Sequence, residues 1–179
     1  MANQYFNFYY DPVRQGYDTT TWTTLSGVPA IAANQLNLLN AGVIHFADLL
    51  RGEALFDVTF HAPTAGDDTK FGFFEPNKNA YLYFKIAGNV LTAEASDGTN
   101  TKSVVIAWDS SWTNASTDFK IKWEAGRAIF TVNGQYKTVI EDISVSGDPM
   151  SLYANSNTTI LHINYITVKS VQSSTLKVF

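Results

Sequence analysis

Between Asp118 and Val168, apolar and polar residues alternate in strand-length segments separated by short polar turns. In an extended chain Phe119, Ile121 and Trp123 fall on one face, and Lys120, Lys122 and Glu124 on the other. After Ala125-Gly126 the pattern resumes. Ala128, Phe130 and Val132 oppose Arg127, Ile129, Thr131 and Asn133, and Gly134 closes the segment. Period-two alternation bounded by Gly and Asn dictates antiparallel strands with at least one face on a core. Helical periodicity is nearly absent. Leu49 and Leu50 near Ala47, interrupted by Gly52, read as one short helical turn at Ala47–Arg51.

Strand signals recur along the rest of the chain, at Gln35–Leu39, Val43–Phe46, Ala54–His61, Lys70–Glu75, Ala80–Ala87, Val90–Ser96 and Lys102–Trp108. They continue at Asp118–Glu124, Ala128–Asn133, Tyr136–Ile140, Met150–Asn155 and Ile160–Lys169. Ala87-Gly88-Asn89, Asp97-Gly98 and Asn133-Gly134 are hairpin turns, because Gly and Asn tolerate positive φ. Many short strands with evenly spaced turns predict an all-β sandwich or barrel.

The 179 residues suit one domain, large enough to fold without a covalent staple. Cysteine is absent, which removes disulfides, thiol catalysis and cysteine-bound zinc together. A net charge of -4 with no basic run gives nucleic acid no electrostatic foothold. No window approaches the ~18 apolar residues of a membrane span. The opening Met-Ala-Asn-Gln-Tyr-Phe lacks the pattern of a signal peptide, so neither export nor membrane insertion is expected. The sequons at Asn114 and Asn157 are read as chance matches.

The chain divides into an N-terminal aromatic arm (1–32), a core (33–169) and a Ser-rich tail (170–179). The order of signals in the core resembles the concanavalin A-like (laminin G-like) jelly-roll family. The resemblance lies in Phe56-Asp-Val-Thr-Phe60, Lys70-Phe-Gly-Phe-Phe74, Asp118-Phe-Lys-Ile-Lys-Trp123, Ala128-Ile-Phe-Thr-Val-Asn-Gly134 and Met150-Ser-Leu-Tyr-Ala-Asn155, with Ile163-Asn-Tyr-Ile-Thr-Val168 as the returning strand. It implies two curved antiparallel sheets, with a concave face that often holds a sugar. The family's glucanases carry Glu-x-Asp-x-x-Glu on one strand, and no Glu-x-Asp pair occurs here. Retaining hydrolysis needs two carboxyls about 5 Å apart. Glu53 and Asp57 could share a face but stand ~13 Å apart along a strand. Glu94 with Asp97 is another pair, and adjacent Glu141 and Asp142 would face opposite ways.

His45, His61 and His162 are scattered without metal-ligand or triad spacing. Asp67 and Asp68 after Gly66 read first as solvated loop carboxylates, so no cofactor is expected; the alternative for such an oxygen-rich loop is calcium. Trp112, set among Ser110, Ser111, Thr113 and Asn114, offers either a sugar-stacking indole or a cap on the core. Asp109 and Asn114 lie beside it to read hydroxyls. Tyr81 and Tyr83 share a strand face, a second glycan candidate. Phe6, Phe8 and Tyr10 line one face of the arm, and Tyr5 and Tyr9 the other. Aromatics on both faces of a strand must be covered by its own domain or by another subunit. The interface reading adds Leu176 and Phe179.

These features lead first to a non-enzymatic structural protein. A phage capsid decoration (cement) or other virion surface protein, assembled as a homotrimer or similar ring on a capsid protein, is the expected form. The alternative is a carbohydrate-binding module serving host-glycan adhesion, and the third reading is a divergent glycoside hydrolase. No nucleic-acid or membrane partner is expected.

Overall fold

The computed structural model describes the backbone of residues 5–60, 62–124, 126–143, 150–157 and 161–172, and their side chains apart from 5–7, 46–51 and 170–172. The strands are β1 (Tyr5–Tyr10), β2 (Thr23–Ser26), β3 (Ala30–Ala32), β4 (Gln35–Leu38), β5 (Ala41–Thr59), β6 (Asp68–Glu75) and β7 (Ala80–Ala87). They continue as β8 (Val90–Asp97), β9 (Thr101–Ile106), β10 (Thr117–Glu124), β11 (Arg127–Val132), β12 (Gln135–Glu141), β13 (Met150–Ser156) and β14 (Leu161–Gln172). One short helix, α1 (Pro12–Gln15), is started by the Asp11 carboxylate, which accepts from the Val13 amide.

All pairings between these strands are antiparallel. The long β5 belongs to two sheets. Its first part pairs with β2 and β13, giving the order β2-β5-β13-β6-β7-β8-β9. Its last part pairs with β10 and β14, giving β12-β11-β10-β5-β14, with β1 and β4 both on the far edge of β14. Gly52, at φ 157°, lies where β5 leaves one sheet for the other. The helical turn expected at Ala47–Arg51 is therefore corrected: this segment is extended, because both of its ends are committed to strand pairing.

The alternating residues bury as the pattern dictates. Phe119, Ile121 and Trp123 of β10, and Ala128, Phe130 and Val132 of β11, are all interior. Phe71 and Phe84 of the first sheet interlock with Phe56, Phe119 and Phe130 of the second, at ring-centroid distances of 5.0–5.7 Å where they touch. Such rings bring large apolar area and favourable edge contacts to one core. The architecture is the two-sheet, concanavalin A-like jelly-roll sandwich.

The N-terminal arm pairs with its own domain. Residues of β1 match Ile166 to Val171 of β14. Tyr10 is 1% exposed and donates to the Gly16 carbonyl at 2.8 Å, while Phe8 packs on the core beside Trp22 and His45. For Phe8 and Tyr10 the interface expectation is thus corrected: their partner is the chain's own core, since antiparallel pairing turns alternate residues inward. Tyr9 points outward beside Tyr165, their ring centroids 6.2 Å apart. The Tyr5 and Phe6 side chains, Leu176 and Phe179 lie outside the described residues. Among the described residues no helix is long and apolar enough to cross a membrane.

Candidate functional site

In the first sheet, Phe71 and Phe73 (β6), Leu82 and Phe84 (β7), Ala93 and Ala95 (β8), and Leu152 and Ala154 (β13) face the core. Their sequence neighbours face outward, and the strand register sets them in cross-strand rows. One row is Ser151–Phe74–Tyr81–Ser96, the next Ile44–Tyr153–Gly72–Tyr83–Glu94, and the third Asn155–Lys70–Lys85–Thr92. Two aromatic rows therefore lie against one polar, basic row.

The rings gather around Gly72. Tyr81 and Tyr83 stack with centroids 4.6 Å apart and planes 7° from parallel. Tyr153 lies 5.2 Å from Phe74 and 5.3 Å from Tyr83. Strands β13 and β7 flank β6, so their backbones stand roughly 10 Å apart. Tyr153 and Tyr83 meet across Gly72, whose backbone turns a Cβ toward the core side chain of Ile121, at 2.8 Å, rather than toward the two rings. A Cβ at Gly72 would stand 2.0 Å from the Leu82 carbonyl oxygen, and φ there is 152°. Tyr83 and Ile44 are buried, yet neither belongs to the interior cluster. They form the floor of a second apolar patch on the outer surface. Burial, with neighbouring Tyr153, Tyr81 and Glu94 adding, pushes the Tyr83 hydroxyl well up, and burial does the same to Tyr153. Both phenols stay protonated and able to donate. Beside them the Lys85 Nζ sits 3.2 Å from Glu94 Oε1.

Of the glycan candidates, Tyr81 and Tyr83 are on this face and Trp112 is not. Residues Ser110–Trp112 form a 3-10 turn whose Asp109 carboxylate accepts from the Ser111 amide. The turn swings the indole inward, to 4% exposure, against Trp108 and Phe119 with Lys137 Nζ 5.0 Å over the ring. The stacking role is therefore corrected to a core cap. Asp109 is engaged in starting that turn, and Asn114 takes positive φ just after it. Asp67 is buried and holds the Thr64 amide and hydroxyl, while Asp68 accepts from Asn157 Nδ2 at 2.9 Å. Among the described residues no group of three or more His, Asp or Glu is placed to hold a metal ion.

The carboxylates weighed for hydrolysis are dispersed. Glu53 lies between Lys120 and Lys169, at 3.9 Å from each. The edge pair Glu141 and Asp142 is met by Lys102, which donates to the Glu141 carbonyl at 2.7 Å. Asp57 lies on the outer face of the other sheet, where Ser116 donates to it at 2.6 Å and Asn164 Nδ2 bonds to it. Directly across stands Asp118, accepting from the Tyr165 hydroxyl at 3.1 Å. His162 is paired with Asn37, and His45 packs at a tilt on Phe8 and edge-on against Trp22; His61 lies outside the described residues.

Phe74, Tyr153 and Lys70 join this face without having been singled out as site residues in the sequence, and Glu94, weighed there only as a carboxylate paired with Asp97, joins it too. Alternation within β6, β8 and β13 assigns each a face. What puts them together is the pairing of β13 with β6, which no local pattern reveals.

No family model matches the sequence, and no curated protein matches it either. Solved structures match over nearly the whole chain. The laminarinase catalytic domain from Thermotoga maritima, solved with cetyltrimethylammonium bromide, has a TM-score of 0.77 at 11% identity, covering 93% of this chain and 98% of that one. The Bacillus licheniformis beta-glucanase gives 0.71 at 13%, covering 90% and 97%. The Crh5 transglycosylase in complex with NAG gives 0.73 at 10%, covering 92% and 84%. At these identities the likeness establishes the concanavalin A-like fold. It also overturns the expectation of a non-enzymatic phage decoration protein, because these matches are carbohydrate-active enzymes rather than virion proteins.

Proposed function

We propose that this chain is a carbohydrate-active protein that holds a glycan along the outer face of β13, β6, β7 and β8. The observation that carries this reading is the aromatic patch closed over Gly72, with Tyr81, Tyr83, Tyr153 and Phe74 beside the polar row Asn155–Lys70–Lys85–Thr92. Sugar rings carry apolar C–H faces that pack on aromatic rings, and their hydroxyls need donors and acceptors at the rim. Protonated phenols, Asn155 and Thr92 supply both kinds of group. The likeness to glucanases and a transglycosylase supports a glucan as the first ligand to try. For bond cleavage the face offers Glu94, whose carboxylate is set beside Tyr83 and held by Lys85.

Calorimetric titration with laminarihexaose tests the reading. Replacing Tyr81 or Tyr153 with Ala should weaken binding roughly tenfold, the worth of one well-packed ring, with the fold retained. The same samples are assayed for newly released reducing ends, and loss of release in Glu94→Gln would make this face the seat of the chemistry. Failure of every oligosaccharide in a neutral and acidic glycan panel to bind would sink the proposal.

A further inference from the structure

We infer that the glycan held on this face is anionic, and that Lys70 recognises its carboxylate or sulfate group. The inference rests on the glycan reading above and narrows it. Lys70 and Lys85 stand directly opposite one another on β6 and β7. Like charges in that position weaken a strand pair, and a neighbouring carboxylate normally offsets the cost. Here Glu94 serves Lys85 alone, at 3.2 Å. Asp68, two residues before Lys70 on β6, accepts from Asn157. Lys70 is half-buried and has no ion pair among the described residues. A lysine stem laid along apolar surface leaves its ammonium able to meet an anion.

The Lys70 and Lys85 ammonium groups lie in the row next to Tyr153 and Tyr83, and Glu94 on β8 is on the far side of Lys85 from Lys70. A sugar ring stacked on those tyrosines would carry a substituent toward Lys70. A carboxylate or sulfate there would supply the missing negative charge through a charge-assisted hydrogen bond, about twice as strong as the neutral bond a hydroxyl could make. Asn155, on the other side of Lys70, is a second donor to the same group.

The test uses the full chain and three hexasaccharides of one backbone: laminarihexaose, its C6-oxidised uronate and its 6-sulfate. Both acidic ligands, or one of them, should bind roughly tenfold more tightly than the neutral one at low salt. The advantage should shrink in about 0.5 M NaCl, where exposed charges are screened. Lys70→Gln should abolish the advantage, so that the acidic ligands bind the variant no more tightly than the neutral one binds the same variant. A preference for the uronate alone or the sulfate alone identifies the anion. Equal affinity for all three, or an acidic preference that survives Lys70→Gln, overturns the inference and leaves the glycan reading standing. No binding of any of the three, together with no binding across the wider neutral and acidic panel, overturns both.

Discussion

Asp118 and Asp57 stand opposite one another on β10 and β5, where two negative charges weaken the pairing. Burial raises the Asp118 pKa most; the Tyr165 hydrogen bond opposes this, and the Asp57 charge adds to it. Ser116, Asn164 and Tyr165 surround the pair, with Lys120 the nearby cation. A carboxyl whose pKa is higher in the folded chain favours folding in its protonated form. That contribution is full below the unfolded value of about 3.9 and is lost as pH rises through the folded value. The thermal midpoint should therefore fall, on this account, as pH climbs from acid toward neutrality. Asp118→Asn keeps an acceptor for Tyr165 and removes the charge. It should flatten that slope and raise stability at pH 7 by up to about 1 kcal/mol, or roughly 2–4 °C in Tm. A variant less stable than the parent at pH 7 in a calorimetric pH series would contradict this. Trp112 shows where residue-level reading of sequence stops. Its polar neighbours suggest exposure, but whether the indole points out or in depends on the 3-10 turn they build.

Strands and hairpins were legible because their signals are local. Asn133 and Gly134 both take positive φ, as a tight hairpin between β11 and β12 requires, and the alternation of β10 and β11 names their buried residues. The segment 47–51 was not legible, since two leucines near an alanine fit a helical turn as well as a strand crossing between sheets. Gly72 belongs to the same class of position. Within β6 it reads as a weak spot in a strand, and only the register of β13 and β7 shows that two tyrosines meet above it. Gly72→Ala should shift the backbone away from the Leu82 carbonyl and part Tyr83 from Tyr153. The expected cost is about 1–3 kcal/mol, with a matching loss of the near-ultraviolet circular dichroism of the tyrosine group. An alanine variant that melts with the parent and keeps that signal would show the approach over Gly72 to be dispensable.

The whole sandwich was legible as a class of fold because a two-sheet core needs only alternation, turns and length. Its closure was not. The first 32 residues read as an addition, since aromatics on both faces of a strand fit an interface as well as an edge. In the structure β1 covers β14, β2 covers β5, and Tyr10 and Trp22, each 1% exposed, pack edge-on with centroids 5.3 Å apart inside the same core. Burying each such ring is worth about 1.5–3 kcal/mol, so the pair represents a large share of the 5–15 kcal/mol that keeps a domain folded. Removing them would also bare the long edge of β14, a template for pairing with other chains. A chain beginning at Ala30 should therefore melt well below the full-length protein and associate as its concentration rises, followed by melting curves and light scattering. A shortened chain that stays monodisperse with an unchanged melting point would return the N-terminal segment to the status of an appendage.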